Sequence, residues 1–251
     1  MVDQVVAASV HAGHEVRPEV AQELSLPEAD RLREEDPFTD VIASAVPSRM
    51  ITQRSRFEVD LNRPRREAVY RIPEDAWGLD IRRDEALPDD VWRGSLAVWD
   101  EVYAALAVKL DEVAARGPFV LLDVHSYNHR RDGADADPAP EACNPEVNVG
   151  TASVDRSLFG PLVERFVRDL ADPGLGCGAV DTRENIAFEG RQLAWWVHDR
   201  YPRVGCVLAL EFKKSWMDEW TGVPDQGALD CAVRNLRATL PGLHEELERL
   251  G

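Results

Sequence analysis

No apolar run in the 251 residues approaches the roughly 20 positions that a membrane span needs. The opening Met1-Val2-Asp3-Gln4-Val5-Val6 sets no basic segment ahead of an apolar one, so a signal peptide is not expected and the expected location is cytoplasmic. Cysteine is scarce. Cys143, Cys177, Cys206 and Cys231 are far apart in sequence, with no Cys-x-x-Cys pair, which speaks against a zinc ribbon or a thioredoxin-type site and predicts free thiols. Also missing are Gly-x-Gly-x-x-Gly, a phosphate-loop signature, Gly-x-Ser-x-Gly and His-Glu-x-x-His, so nucleotide-dependent and serine-hydrolase chemistry are not expected. Basic residues are the minority: 29 Lys and Arg stand against 46 Asp and Glu, a net charge of −17. Such a surface repels phosphate backbones and anionic lipid, so neither nucleic acid nor membrane is an expected partner. Any cations needed for an anionic substrate must be gathered locally.

What is present reads as a folded chain, 44% hydrophobic and 30% charged, long enough for a sizeable core. Three runs read as buried strands: Val5 to Val10, Phe119 to Val124 and Val204 to Leu210. Each is followed at once by a polar residue with chemical potential: His11, His125 and Glu211. In open α/β sheets ligands bind beyond the carboxyl ends of the strands, so this threefold pattern points to a site. Apolar residues recur at helical spacing over Val91 to Ala115, Leu158 to Leu170, Gly190 to Tyr201 and Val233 to Leu250. Alternation of strands and helices predicts an α/β fold with a mostly parallel or mixed sheet. No linker divides the chain, and one domain over 1–251 is expected. Arg130 to Pro140, rich in Asp, Gly and Pro, reads as a surface loop beside the site.

Four constellations carry chemistry. His11-Ala12-Gly13-His14-Glu15 offers imidazoles at a strand end, suited to a metal ion. Asp123-Val124-His125-Ser126-Tyr127 repeats the arrangement, and Asp123 shares a side of the strand with His125, where it can orient the ring. A third ligand is open among His14, Glu15, Glu35, Asp36 and Asp40, since spacing does not choose between them. Between Arg54 and Arg66 five of the 29 basic residues fall within thirteen positions. Arginine grips a carboxylate through paired hydrogen bonds, so this segment suits a substrate clamp and an oxyanion donor. Glu211, beside a hydrophobic strand, suits a general base, whereas Lys213 and Lys214 read as surface residues.

Several of these segments together resemble the N-formylglutamate amidohydrolase family. Ser55-Arg56-Phe57-Glu58-Val59-Asp60-Leu61-Asn62-Arg63-Pro64 is similar to its "SR…DLNRP" signature. In the same order come His11-Ala12-Gly13, the spaced Asp36 and Asp40, Asp123-Val124-His125-Ser126, Asn148-Val149-Gly150-Thr151, Asn185 to Gly190, and Leu210-Glu211 with Trp216 to Glu219. The family's Pro-Tyr-His on the preceding helix reads Val98-Trp99-Asp100 here, and its double glycine reads Gly190-Arg191. The resemblance implies a phosphorylase/hydrolase-like mixed sheet with helices on both faces, similar to zinc carboxypeptidases. It implies one zinc ion held by His11, Asp36 and His125, and a small N-acyl amino acid such as N-formyl-L-glutamate as substrate. Asn62 and Arg63 would hold the substrate carboxylate, Arg56 would meet the oxyanion, and Glu211 would activate water. A second carboxylate would call for Arg54, Arg65 or Arg191. The alternatives are a carboxypeptidase-like peptidase and a non-catalytic binding homologue.

Overall fold

The computed structural model describes residues 3–83 and 87–251. Six strands form one sheet: β1 (Val5–Ser9), β2 (Arg49–Ile51), β3 (Phe119–Tyr127), β4 (Val147–Gly150), β5 (Thr182–Glu184) and β6 (Gly205–Lys213). Their spatial order is β2-β1-β3-β6-β4-β5. Neighbours run parallel except β4, which lies antiparallel to β6 and makes the sheet mixed. The predicted runs all become strands because their β-branched and aliphatic side chains are covered on both faces. On one face Val5, Ala7, Val120, Leu122, Cys206 and Leu208 join one core; on the other Val6, Ala8, Leu121 and Val207 join a second.

Helices supply those covers. α1 (Pro18–Glu23), α2 (Glu28–Glu34) and α3 (Thr39–Ala43) lie between the first two strands. α4 (Asp89–Ala114) follows Pro88, with Asp89 and Asp90 in its first turn, where negative charge complements the exposed N–H groups. It buries Leu96, Tyr103, Leu106, Leu110 and Val113, each contributing about 1.5–3 kcal/mol by leaving water. α5 (Arg156–Ala171) opens on Asp155, whose carboxylate accepts the Ser157 N–H. α6 (Gln192–Arg200) shares the α4 face. α7 (Gln226–Ala238) and α8 (Leu240–Leu250) pack on the other.

Two expectations need correction. The Val233–Leu250 periodicity is two helices, broken at Thr239, because Pro241 has no N–H to give and fits only a first turn. β3 and β6 also run on to Tyr127 and Lys213, so His125 and Glu211 stand within their strands. Among the described residues no helix is long and apolar enough to cross a membrane.

Candidate active site

The site grows from a change of chemistry along one sheet face. Leu121 and Val207 lie in the core beneath α4 and α6. Two residues further along each strand the same face carries Asp123 and Ala209, and two further again His125 and Glu211. His11 follows β1 by two residues and brings its ring centroid to 4.8 Å from that of His125. Asp36 arrives from the turn after α2, its N–H held by the His11 carbonyl at 3.0 Å.

These three side chains converge. One ligand atom from each of His11, Asp36 and His125 lies within 4.8 Å of the others, and all three residues are buried. Asp36 Oδ2 is 3.0 Å from His125 Nδ1 and 3.5 Å from His11 Nδ1. The outer nitrogens face carboxylates: His11 Nε2 is 2.7 Å from Asp60 Oδ1, and His125 Nε2 is 2.9 Å from Asp123 Oδ1. Among the described residues His11 Nδ1 has no hydrogen-bond partner although it is buried. His11 thus turns a lone pair inward while Asp60 holds its far N–H, which is the arrangement of a metal-ligating histidine. The residues therefore fit a cation. The alternatives for a third ligand are elsewhere. Glu35 is buried but turned to Ser55 and His14. Glu15 is exposed and Asp40 sits on α3.

Charges in this small volume shift one another. Burial pushes the Glu211 carboxyl up to about 8, helped by Asp36 and Asp123 and opposed by His125 and Arg56. Burial also opposes the charge on Asp36, but the His11 and His125 imidazoles beside it, His125 through a hydrogen bond, outweigh it and hold the carboxyl well below its usual range. His125 moves the other way: burial lowers its proton affinity, and Asp123, Asp36 and Glu211 more than reverse that.

Asp60, which the sequence marks only as one member of the Ser55–Pro64 signature, is the hub of the neighbouring segment. Its Oδ1 takes His11 and the Asn62 N–H, and its Oδ2 takes Arg56 at 3.1 Å, Tyr70 and Arg63. Arg56 donates to Asp60, Tyr70 and the Glu34 carbonyl, three of the five N–H groups a guanidinium has. Asn62 accepts the Leu193 N–H at 3.1 Å and turns Nδ2 to His125 Nε2 at 3.2 Å. Arg63 lies over the Tyr70 ring and donates to the Asp75 carbonyl. α4 clasps this segment from outside. Tyr103 donates to the Leu61 carbonyl, Trp99 to the Arg63 carbonyl, and Asp100 pairs with Arg65. Trp99 and Asp100, the departures from the family pattern, thus fasten a loop and lie outside the cluster.

Lys214 corrects the surface reading. It is 1% exposed and donates to the carbonyls of Arg33 and Glu35 and to Asn128 Oδ1, at 2.6, 2.6 and 2.8 Å. Burial lowers its proton affinity to about 8, against Asp36, Glu34 and Glu219. Its three bonds tie the last turn of α2, and so the Asp36 turn, to the end of β3.

The opposite wall is the 185–190 loop. Asn148, beside Glu211 in the antiparallel register, accepts N–H groups from Ile186, Ala187 and Phe188. A Cβ at Gly150 would sit 2.5 Å from the Gly190 nitrogen, so only glycine lets the loop approach. The Asn148 to Thr151 and Asn185 to Gly190 motifs are thus mostly scaffold. Two cavities meet here, sharing Asn62, Phe188, Arg191 and Glu211. The first, about 100 Å³, holds the His11–Asp36–His125 cluster and Arg56. The second, about 670 Å³, adds Arg63, Arg66 and Trp195. Among the described residues the exposed Arg191 guanidinium has no ion-pair or hydrogen-bond partner. Arg54 lines a different groove beside α4, and Arg65 is spent on Asp100.

Fold and site together define a class: an α/β protein working at the carboxyl ends of parallel strands, around a cluster suited to a cation. Comparison makes this particular. The profile of the N-formylglutamate amidohydrolase family matches residues 3–216, and the chain belongs to that family, hydrolases of amide bonds. The fold is similar to the crystal structure of an N-formylglutamate amidohydrolase from Ralstonia eutropha JMP134. The TM-score is 0.70 at 19% identity, over 98% of this chain and 94% of that one. It is also similar to a gene product of Agrobacterium tumefaciens, with TM-score 0.64 and 15% identity over 98% and 90%. No curated protein matches.

Proposed function

We propose that this chain is a zinc-dependent amidohydrolase that removes a formyl or other small acyl group from an amino acid with free carboxylates. The observation that carries the reading is the buried convergence of His11 Nδ1, His125 Nδ1 and Asp36, with Asp60 and Asp123 behind the two rings. Two imidazoles and one carboxylate are a catalytic-zinc donor set, which leaves a position for water or substrate. When bound there, zinc acidifies water and polarises an amide carbonyl.

The chain's own residues supply the rest. Glu211, beside the cluster on the neighbouring strand, takes a proton from water and returns it to the leaving amine. Arg56 turns its free N–H groups to the charge that develops on the carbonyl oxygen. Its bonds to Asp60 and Tyr70 fix it in advance, so no reorganisation is needed during reaction. Asn62 and Arg63 receive the α-carboxylate on the wall that leads into the larger cavity, and Arg191 across it takes a second carboxylate. The larger cavity holds the amino-acid part, and the small one admits only a compact acyl group.

The experiment pairs elemental analysis with amine release from a panel of N-formyl and N-acetyl amino acids. About one zinc per chain, lost in His11→Ala and His125→Ala, with turnover of an acidic N-acyl amino acid, is expected. A protein that binds no metal after zinc addition and releases no amine would end this reading.

A further inference from the structure

On the other side of the sheet from this site, the loop after α5 is pressed onto α7. Gly176, at φ +57°, has no Cβ; one would fall 2.9 Å from the Asn235 Cα and closer still to its side-chain oxygen. The next residue, Cys177, donates its N–H to Asn235 Oδ1 at 2.6 Å. Asn235 lies one turn beyond Cys231 on α7, so the loop sets Cys177 over the helix face that carries Cys231. One guanidinium spans both sulfurs: Arg234 Nε is 2.9 Å from Cys177 Sγ, and its Nη2 is 3.1 Å from Cys231 Sγ. These two nitrogens share one edge of the planar fork, which places the two sulfurs side by side. Among the described residues Arg234 makes no ion pair with a carboxylate. Cys177 is exposed, Cys231 is half-buried, and both are free thiols.

We infer that Cys177 and Cys231 form a peroxide-reactive dithiol, a modification site separate from the hydrolytic one, with Cys177 attacking and Cys231 resolving. An exposed thiol held by a cation is the form in which cysteine reacts, because the thiolate is the nucleophile. The contact with Cys231 and then that with Arg234 lower the Cys177 thiol, Asp230 opposing, whereas Cys231 is raised. In the first step the Cys177 thiolate attacks one oxygen of hydrogen peroxide. The O–O bond breaks, hydroxide leaves, and Cys177 becomes a sulfenic acid, oxidised by two electrons. In the second step the Cys231 sulfur attacks the Cys177 sulfur. The S–O bond breaks, the Cys231 proton leaves with the hydroxyl as water, and a disulfide joins the loop to α7. Two thiols and one peroxide thus yield one disulfide and two waters.

The test treats the whole reduced protein with a small molar excess of hydrogen peroxide, alkylates the remaining thiols and maps peptides by mass. The expected result is one intramolecular Cys177–Cys231 crosslink, a loss of about 2 Da, and unaltered Cys143 and Cys206. Arg234→Ala should slow thiol loss about tenfold at neutral pH, because the thiolate is the nucleophile and loses the cation that holds it. Cys177→Ser should abolish the crosslink, with its fold checked by circular dichroism. Four alkylatable thiols after peroxide, or crosslinking through exposed Cys143 instead, would overturn the proposal. The wild-type peptide map decides even if a variant fails to fold.

Discussion

His125 and Glu211 are register partners on adjacent parallel strands, so an imidazole of the cation cluster and the proposed base leave the sheet side by side on the same face. Strand pairing, not a flexible loop, sets their separation. Rigid elements hold reacting groups within the tolerances that catalysis needs. The carboxylate also depends on this neighbour, since His125 is the largest influence opposing its upward shift.

We predict that Glu211→Gln binds metal at the wild-type level but loses about 10²–10⁴ in turnover, the usual contribution of a positioned base. Glutamine keeps the shape of the side chain and one acceptor oxygen but removes its charge and basicity. Elemental analysis and single-substrate kinetics on the same preparation check this. Retained turnover would remove Glu211 from the mechanism.

Asp60→Asn should weaken metal affinity about 10–100-fold, since the carboxylate behind His11 orients the ring and strengthens its donor. The same change releases Arg56 and Arg63, which both pair with Asp60 Oδ2, so turnover falls further than metal loss explains. A zinc titration with a competing chelator measures the first effect, and activity at saturating zinc measures the second. Unchanged affinity would mean that the ring needs no such support.

Arg191→Ala is expected to raise KM for an acidic substrate about 10–150-fold, from the roughly 1.5–3 kcal/mol of a charge-assisted hydrogen bond, with little change in kcat. Arg54→Ala and Arg65→Ala should leave both constants near wild type, because neither side chain reaches the cavities. The comparison is made with substrates that have one and two carboxylates. An equal loss on both would contradict the assignment of Arg191 to the second one.

His198 gives a stability prediction independent of the site. β4 pairs with β6 only from Ala209 onward, so the lower half of that strand edge is open, and the Val207 N–H donates to His198 Nε2 at 2.9 Å. Burial drops this imidazole from 6.5 to about 4. The folded state therefore resists the proton that the unfolded chain accepts, and stability is full above pH 6.5 and declines toward pH 4. His198→Asn should be less stable at neutral pH and should flatten this slope. Thermal melts between pH 4 and 7 test it, and an unchanged slope would rule the imidazole out as its source.

Much of this arrangement was legible in the chain. His11, His125 and Glu211 announced themselves because a continuous apolar run makes a strand, and a polar residue at its carboxyl end has few other reasons to be there. Asp36, one of five carboxylates and imidazoles that spacing allowed, is the one that the structure brings to the cluster. The rest depended on contacts distant in sequence. Asp60 serves a histidine 49 residues away. Lys214 had the look of a surface residue, and only the carbonyls of a helix end 181 and 179 residues distant explain its burial. Cys177 and Cys231 meet because a glycine without a Cβ lets one loop settle on one helix, which no spacing rule foretells.

The 185–190 wall hangs on Asn148 through main-chain N–H groups. Main-chain bonds do not read the identity of the residues that make them. Positions 187 and 188, which line the cavity, can therefore exchange their side chains, and with them what the cavity greets, while the peg and the curve of the wall stay as they are. In this corner the protein separates recognition from architecture.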